Sequence, residues 1–247
     1  MRKNIVTIGS CLSIKVADSL CDNFGFKRVS SSQHYRVDVY VDTFLKGKFN
    51  QFLQSDCEFE YKEEFKYANI LENQMFDVGF GKSLPSSSTH QLINHKVAIE
   101  SGKIDVLIID NFADIYFKVY ENKERNFKLF LNKEYFKKFD NDFIIENEFV
   151  KPENYQTSLR DFINYFRCYN PISEVIVINF PVNLNSNEKV RERAMQLFNV
   201  MKSISDIKII DPIGIYKNDL SRIDDIHHFS NRKYSQYASL VYGEILR

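Results

Sequence analysis

Tryptophan is absent from the 247 residues, and glycine (8), proline (5) and cysteine (4) are scarce. With so little Gly and Pro there is no flexible linker or low-complexity tract, and no internal repeat is found. A single domain over 1–247 is therefore expected. The four cysteines, Cys11, Cys21, Cys57 and Cys168, stand far apart without a CxxC pair. That spacing suggests neither a disulfide framework nor a zinc site, and each reads as a free thiol. Charge of one sign is also lacking, since 33 Lys and Arg balance 33 Asp and Glu. No overall field then draws the chain to nucleic acid or to an anionic membrane surface. No run approaches the roughly 18 to 20 apolar residues of a membrane span. The start, MRKNIVTIGS, has too short an apolar stretch for a signal peptide. A cytoplasmic location is the expectation from these readings. The aromatic content, 22 Phe and 14 Tyr, carries no functional weight here.

What is present is a recurring alternation of short β-branched runs with helical patterns, the mark of a parallel sheet covered on both faces. NIVTIG (4–9) is the first strand. SIKVADSLCDNFGF follows as a helix that Gly25 stops. Either KRVSSS or YRVDVYV supplies the second strand. DVLIIDNF (105–112), EVIVINFPV (174–182) and IKIIDPIG (207–214) each run apolar and then end in polar or turn residues. Helices are expected at 157–168, 187–203 and about 230–246. The sum is about five parallel strands in a doubly wound α/β fold, with ligands expected at the C-terminal strand ends. Residues 113–150 alternate on both sides of ENKERN and read as a β-hairpin insertion beside that edge. YKEEFKYANILENQMF is expected to be helical, and VGFGKSLPSSST to be a loop.

Chemistry is suggested first by Gly9-Ser10-Cys11. Gly9 permits a sharp turn, and the side chain of Cys11 then falls at a helix N-terminus, where free N–H groups and the dipole favour a thiolate nucleophile. The plain alternative is a small buried residue in a tight turn. In DDIHHFSNRKY, Asp225 lies three residues before His228 and could fix its tautomer, leaving the other nitrogen as a base. Asp224 with His227 offers a competing register. Asn111, at the end of IDNF, could donate to an oxyanion or could simply form a turn.

In this order, a nucleophile after the first strand, an Asn after the third and an Asp-x-x-His before the last helix resemble the SGNH (GDSL-like) hydrolase superfamily. Cys11 lies where that family's motif has its serine, and VLIIDNFADI overlies the Asn block at Asn111. DIHHFSNRKY overlies the last block, with Asp225 and His228 on the dyad, Ser230 two residues on and Tyr234 on the family's tyrosine. This alignment selects His228 over His227. The Gly-Ser-Cys start resembles a narrower branch, which includes GSCFA-domain proteins and bacterial proteins encoded among capsular polysaccharide biosynthesis genes. The resemblance implies a three-layer SGNH/flavodoxin-like fold and a Cys11–His228–Asp225 triad. It further implies an oxyanion hole from Asn111 and the Cys11 N–H, beside Ser10. The family's second block supplies a further glycine, for which Gly79 and Gly81 are the candidates; the polar run 30–36 could line the site instead.

The implied activity is O-acyl transfer to, or deacylation of, a carbohydrate in surface-polysaccharide biosynthesis. No bound cofactor is implied, and acetyl-CoA or another acyl thioester would be a co-substrate. The alternative is a non-catalytic module that binds a glycan or a nucleotide-linked sugar in the same cleft. A flavodoxin-like phosphate-binding domain is a weaker third reading, because GxGxxG and P-loop patterns are missing after the first strand. His34 and Arg36 could meet an anionic or carbohydrate ligand, or lie in a surface loop. His90 and His95 have no convincing ligand partners, so no metal is expected. KERNFKLFLNKEYFKK is basic and aromatic but fits a half-exposed hairpin better than a nucleic-acid contact. The oligomeric state is not legible.

Overall fold

The computed structural model describes residues 2–33, 35–51, 58–65, 70–71, 74, 93–139, 142–147 and 149–247. Strand β1 (Asn4–Gly9) buries Ile5, Val6 and Ile8 almost completely. Helix α1 (Cys11–Phe24) begins two residues beyond it, with Ser10 as its N-cap. It ends at Gly25, whose φ of 73° forms the left-handed cap expected of that glycine. Strand β2 (Lys27–Gln33) comes from the KRVSSS alternative.

The other alternative, YRVDVYV, is helical instead. Helix α2 (Val37–Tyr40) runs on into a π-helical turn at Val41–Leu45. Val37, Tyr40 and Val41 stand at i, i+3 and i+4, and all are buried. Tyr40 meets Phe162 edge to face at 5.0 Å, so a tertiary partner selects the helical period over the β-propensity of the valines.

The chain continues through β3 (Glu60–Tyr61), α3 (His95–Glu100), β4 (Val106–Asp110), α4 (Phe112–Tyr116), β5 (Lys118–Asn122) and β6 (Phe127–Leu131). Then come β7 (Phe136–Lys138), β8 (Ile144–Asn147), α5 (Pro152–Tyr169), β9 (Glu174–Ile178), α6 (Glu188–Met201), β10 (Lys208–Ile210) and α7 (Asn231–Ile245). Five strands form the central sheet in the order β10-β9-β4-β1-β2, all parallel. This is the doubly wound arrangement read from the sequence. Helix α1 packs with α7, while α5 packs with α2, α3 and α6, giving the outer layers.

Because β1 leads outward to β2 while β4 starts the other half, the direction of winding reverses between β1 and β4. The loops leaving those two strands diverge there and open a crevice. Within 113–150, β5 and β6 form an antiparallel hairpin, β8 adds to the free edge of β5, and β7 pairs with β3. The helix expected over 61–76 is not what its described part forms. Tyr61 is in a strand and Glu63–Phe65 makes one 3₁₀ turn. Most of the rest of that stretch, and the loop at 78–89, lie outside the described residues. Helix α5 starts five residues earlier than read, at Pro152, whose missing N–H suits the first helical position. Among the described residues no helix is long and apolar enough to cross a membrane.

Candidate active site

Gly9 has φ 145°, and a Cβ there would lie 2.5 Å from Asp110 Oδ2. Only glycine lets the end of β1 come this close to the end of β4. Asp110 occupies that space because the turn needs an acceptor. Its Oδ2 accepts from Ser10 N–H at 2.7 Å, Ser13 N–H at 3.0 Å and Ser10 Oγ–H at 3.1 Å; its Oδ1 accepts from Phe112 N–H at 3.1 Å. Burial pushes this carboxyl above its usual range, while the donors pull it back. Ser10 Oγ in turn accepts from Leu12 N–H at 3.1 Å. With those amides used, the Cys11 N–H is the first-turn donor left without an acceptor among the described residues.

Cys11 is half-buried at the start of α1, facing a cavity of about 520 Å³. Its sulfur accepts from Gln33 Nε2 at 3.2 Å and shares the cavity wall with His228. His228 Nδ1 lies 2.7 Å from Asp225 Oδ2, leaving Nε2 for the sulfur. The contact with Cys11 is the largest cause that pushes His228 up to about 9, against the effect of burial, and Asp225 adds to it. Burial alone would raise Asp225, but the charge and hydrogen bond of His228 and the His227 N–H hold it below the usual carboxylate range.

The segment carrying His228 is braced from behind. Leu220 and Phe229 form an antiparallel bridge, Ser221 N–H donates to His228 O at 2.9 Å, and Ser230 N–H donates to Asp219 O at 2.7 Å. Tyr234 Oη accepts from Phe229 N–H at 3.0 Å, and Ser230 caps α7. Asp219 is buried against Lys233 at 3.1 Å and accepts from Tyr216 N–H at 3.1 Å.

The remaining expected residues fall elsewhere. Ser10 reaches the cavity wall, but its hydroxyl is spent on the helix cap and on Asp110. Asn111 is fully buried and does not line the cavity. Its Nδ2 donates to Asn179 Oδ1 and its Oδ1 accepts from Phe180 N–H, both at 2.8 Å, so this side chain ties the ends of β4 and β9 together. Arg36 is also corrected: its guanidinium is buried in a two-pronged pair with Asp38, at 3.0 and 2.6 Å, and donates to Phe117 O. It holds the start of α2 and faces a different, smaller hollow. His34, Gly79 and Gly81 lie outside the described residues. The Asp224–His227 register is not adopted, since Asp224 is exposed at the cavity rim and His227 packs among aromatic rings.

Gln33 was contained in the polar run 30–36 but not singled out, and Asp110 was read only as the end of a strand. Phe65 and Tyr135, stacked at 4.2 Å, and Phe112, Phe180 and Arg222 complete the wall, brought there from distant parts of the chain. No local pattern marks them. Among the described residues no group of three or more metal-ligating side chains comes together.

No protein-family model and no curated protein matches the chain. Solved structures do resemble it in fold. One is a carbohydrate esterase whose active site displays divergent catalytic and non-catalytic binding functions, at 11% identity and a TM-score of 0.47; the match covers 100% of this chain and 65% of that one. A second, described as a putative platelet activating factor from Streptococcus pneumoniae, is 12% identical with a TM-score of 0.49, over 99% of this chain and 85% of its own. A third is a family 2 carbohydrate esterase with a carbohydrate-binding domain from Corynascus thermopiles (Myceliophthora fergusii), at 8% and 0.49, over 99% and 66%. The chain thus spans just under two thirds of the length of the first and third of these structures. Likeness at such identity concerns the course of the chain and not its chemistry.

Proposed function

We propose that the protein is an SGNH-like acyl-transfer enzyme with Cys11 as nucleophile, His228 as general acid and base, and Asp225 as the group that orients His228. The observation that carries this reading is the meeting of Cys11, His228 and Asp225 on one cavity at the C-terminal edge of the sheet, with His228 Nδ1 2.7 Å from Asp225 Oδ2 and Cys11 the largest cause that raises His228. The sulfur attacks the carbonyl of an acyl ester or thioester, forming a C–S bond. The C–O or C–S bond to the leaving group breaks, and that group takes the proton of His228. In the second half His228 accepts the proton of an incoming hydroxyl while its oxygen displaces Cys11. The free Cys11 N–H is the backbone donor toward the oxyanion, and Gln33 Nε2, already 3.2 Å from the sulfur, is the side-chain donor in the place first assigned to Asn111.

The resemblance of motifs further suggests an O-acylated sugar of a surface polysaccharide as substrate, with acetyl-CoA or a related thioester as donor in the transfer direction. The cavity wall carries Glu64, Asp224 and Asp225 against Arg222 and His228. This mixture fits a hydroxylated, uncharged acceptor better than a polyanion within the cavity itself.

The test is the pH dependence of iodoacetamide alkylation, read by peptide mass spectrometry. Cys11 should react near neutral pH faster than the other thiols, and should lose that advantage in His228→Ala. A Cys11 that is inert, or indifferent to His228, would leave the cleft as a binding site for a glycan or nucleotide-linked sugar.

A further inference from the structure

His227 takes no part in the dyad, yet its hydrogen bonding is unfinished. Its ring makes no hydrogen bond among the described residues, and Nε2 is sealed from solvent without a partner. Tyr116 lies with its ring centre 4.8 Å away and Phe112 5.3 Å away, both with planes at 72° to the imidazole, and Phe180 is at 6.4 Å. Leaving a polar atom unpaired in such surroundings costs about 1–3 kcal/mol unless something offsets it. Aromatic faces are negative, so among these surrounding rings a proton on the buried Nε2 is favoured over a lone pair. A neutral imidazole has one N–H. Burial depresses the basicity of His227 and the neighbouring charged His228 adds to this, outweighing Asp225, so the ring stays neutral. With the proton on Nε2, Nδ1 is a bare acceptor, and it is the nitrogen through which this wall residue can meet a ligand. The ring is held in place through its own backbone, whose N–H donates to Asp225 Oδ1 at 3.1 Å.

We infer that His227 is a specificity-determining residue whose Nδ1 accepts a hydrogen bond from a second hydroxyl of the acyl acceptor. The attacking hydroxyl must give its proton to His228, so the group that donates to His227 is another one on the same molecule. The acceptor so selected is a polyol with neighbouring hydroxyls, in preference to a simple alcohol. The inference rests on the acyl-transfer reading and adds a substrate requirement to it.

The experiment acetylates Cys11 with p-nitrophenyl acetate and partitions the acyl-enzyme between 1,2-propanediol and 1-propanol at equal concentration. Wild type should favour the diol by roughly five- to tenfold, the worth of one neutral hydrogen bond. His227→Leu should lose the preference, and His227→Asn should keep it, because Asn Oδ1 takes the place of Nδ1. Equal use of both alcohols by wild type, or a preference that survives in His227→Leu, overturns the inference. A long-range ¹H–¹⁵N spectrum of wild type needs no variant: it should show Nε2 of His227 protonated and Nδ1 bare, and the reverse tautomer refutes the assignment. Absence of any acetyl-Cys11 in wild type counts against the catalytic reading, while the spectrum still decides the state of His227.

Discussion

Gly9 shows how much of this site rests on single atoms. A methyl group at that position would overlap Asp110 Oδ2, the acceptor for two amides and a hydroxyl around Cys11, at a φ that L-residues avoid. Gly9→Ala is expected to lower stability by about 2–3 kcal/mol, seen as a shift in the urea midpoint, and to slow Cys11 alkylation as the turn relaxes. Cys11→Ser tests the other side of the pair. Because the sulfur is the largest cause raising His228, its replacement should bring the His228 titration, followed by NMR, down from about 9 toward the ordinary histidine value. The sharp turn at Gly9, the helix start at Cys11 and the pairing of Asp225 with His228 were legible in sequence, since each sits in a short motif whose spacing is local. Gln33 and Asp110 were not, because what they do depends on which strands lie beside β1.

Between the motifs, whole elements hold the geometry. The segment from Lys217 to Ser230 presents both histidines, and its fixed point is Asp219, buried between Lys233 of α7 and the Tyr216 N–H. Removing that carboxylate leaves the buried Lys233 ammonium with only Gly214 O as acceptor and the Tyr216 N–H with none. Asp219→Ala should cost on the order of 2–3 kcal/mol and should also uncouple Cys11 alkylation from His228, although Asp219 does not touch the cavity. Retention of the wild-type pH profile of alkylation in Asp219→Ala would show that the loop holds itself. At this scale sequence reading succeeded for β1, α1, β4, β9 and α7. Of its two alternatives for the second strand, KRVSSS is the strand, whereas YRVDVYV (35–41) turns helical from Val37 because Tyr40 packs on Phe162. Arg36, expected at a ligand, went with that segment, and its partner Asp38 is only two residues away.

For the molecule as a whole, two histidines limit stability from opposite sides. His95 is fully buried and its basicity falls to about 3, burial being the main cause. Below about pH 6.5 the unfolded chain takes up a proton there that the folded chain refuses, so stability falls as pH drops from 6.5 toward 3. In His95→Phe the acid limb of urea midpoint against pH should be shallower, by up to about 1.4 kcal/mol per pH unit. His228 acts in the other sense: raised to about 9, it contributes in full below about 6.5 and loses that contribution as pH rises through 9. Half-exposed as it is, solvent screens the effect, and the alkaline limb should be the gentler one. The sequence by itself determined the parallel α/β sheet, because buried strands and amphipathic helices differ in period. It also determined the order of Gly9-Ser10-Cys11, the Asp225–His228 pair and the final helix, because those signals are carried by neighbours along the chain. Only the tertiary structure decided that Asp110 braces the turn before Cys11 and that Gln33 reaches the sulfur. It alone also turned Asn111 inward and placed His227 among aromatic rings, since such contacts join residues tens to more than a hundred positions apart, and no local pattern encodes them.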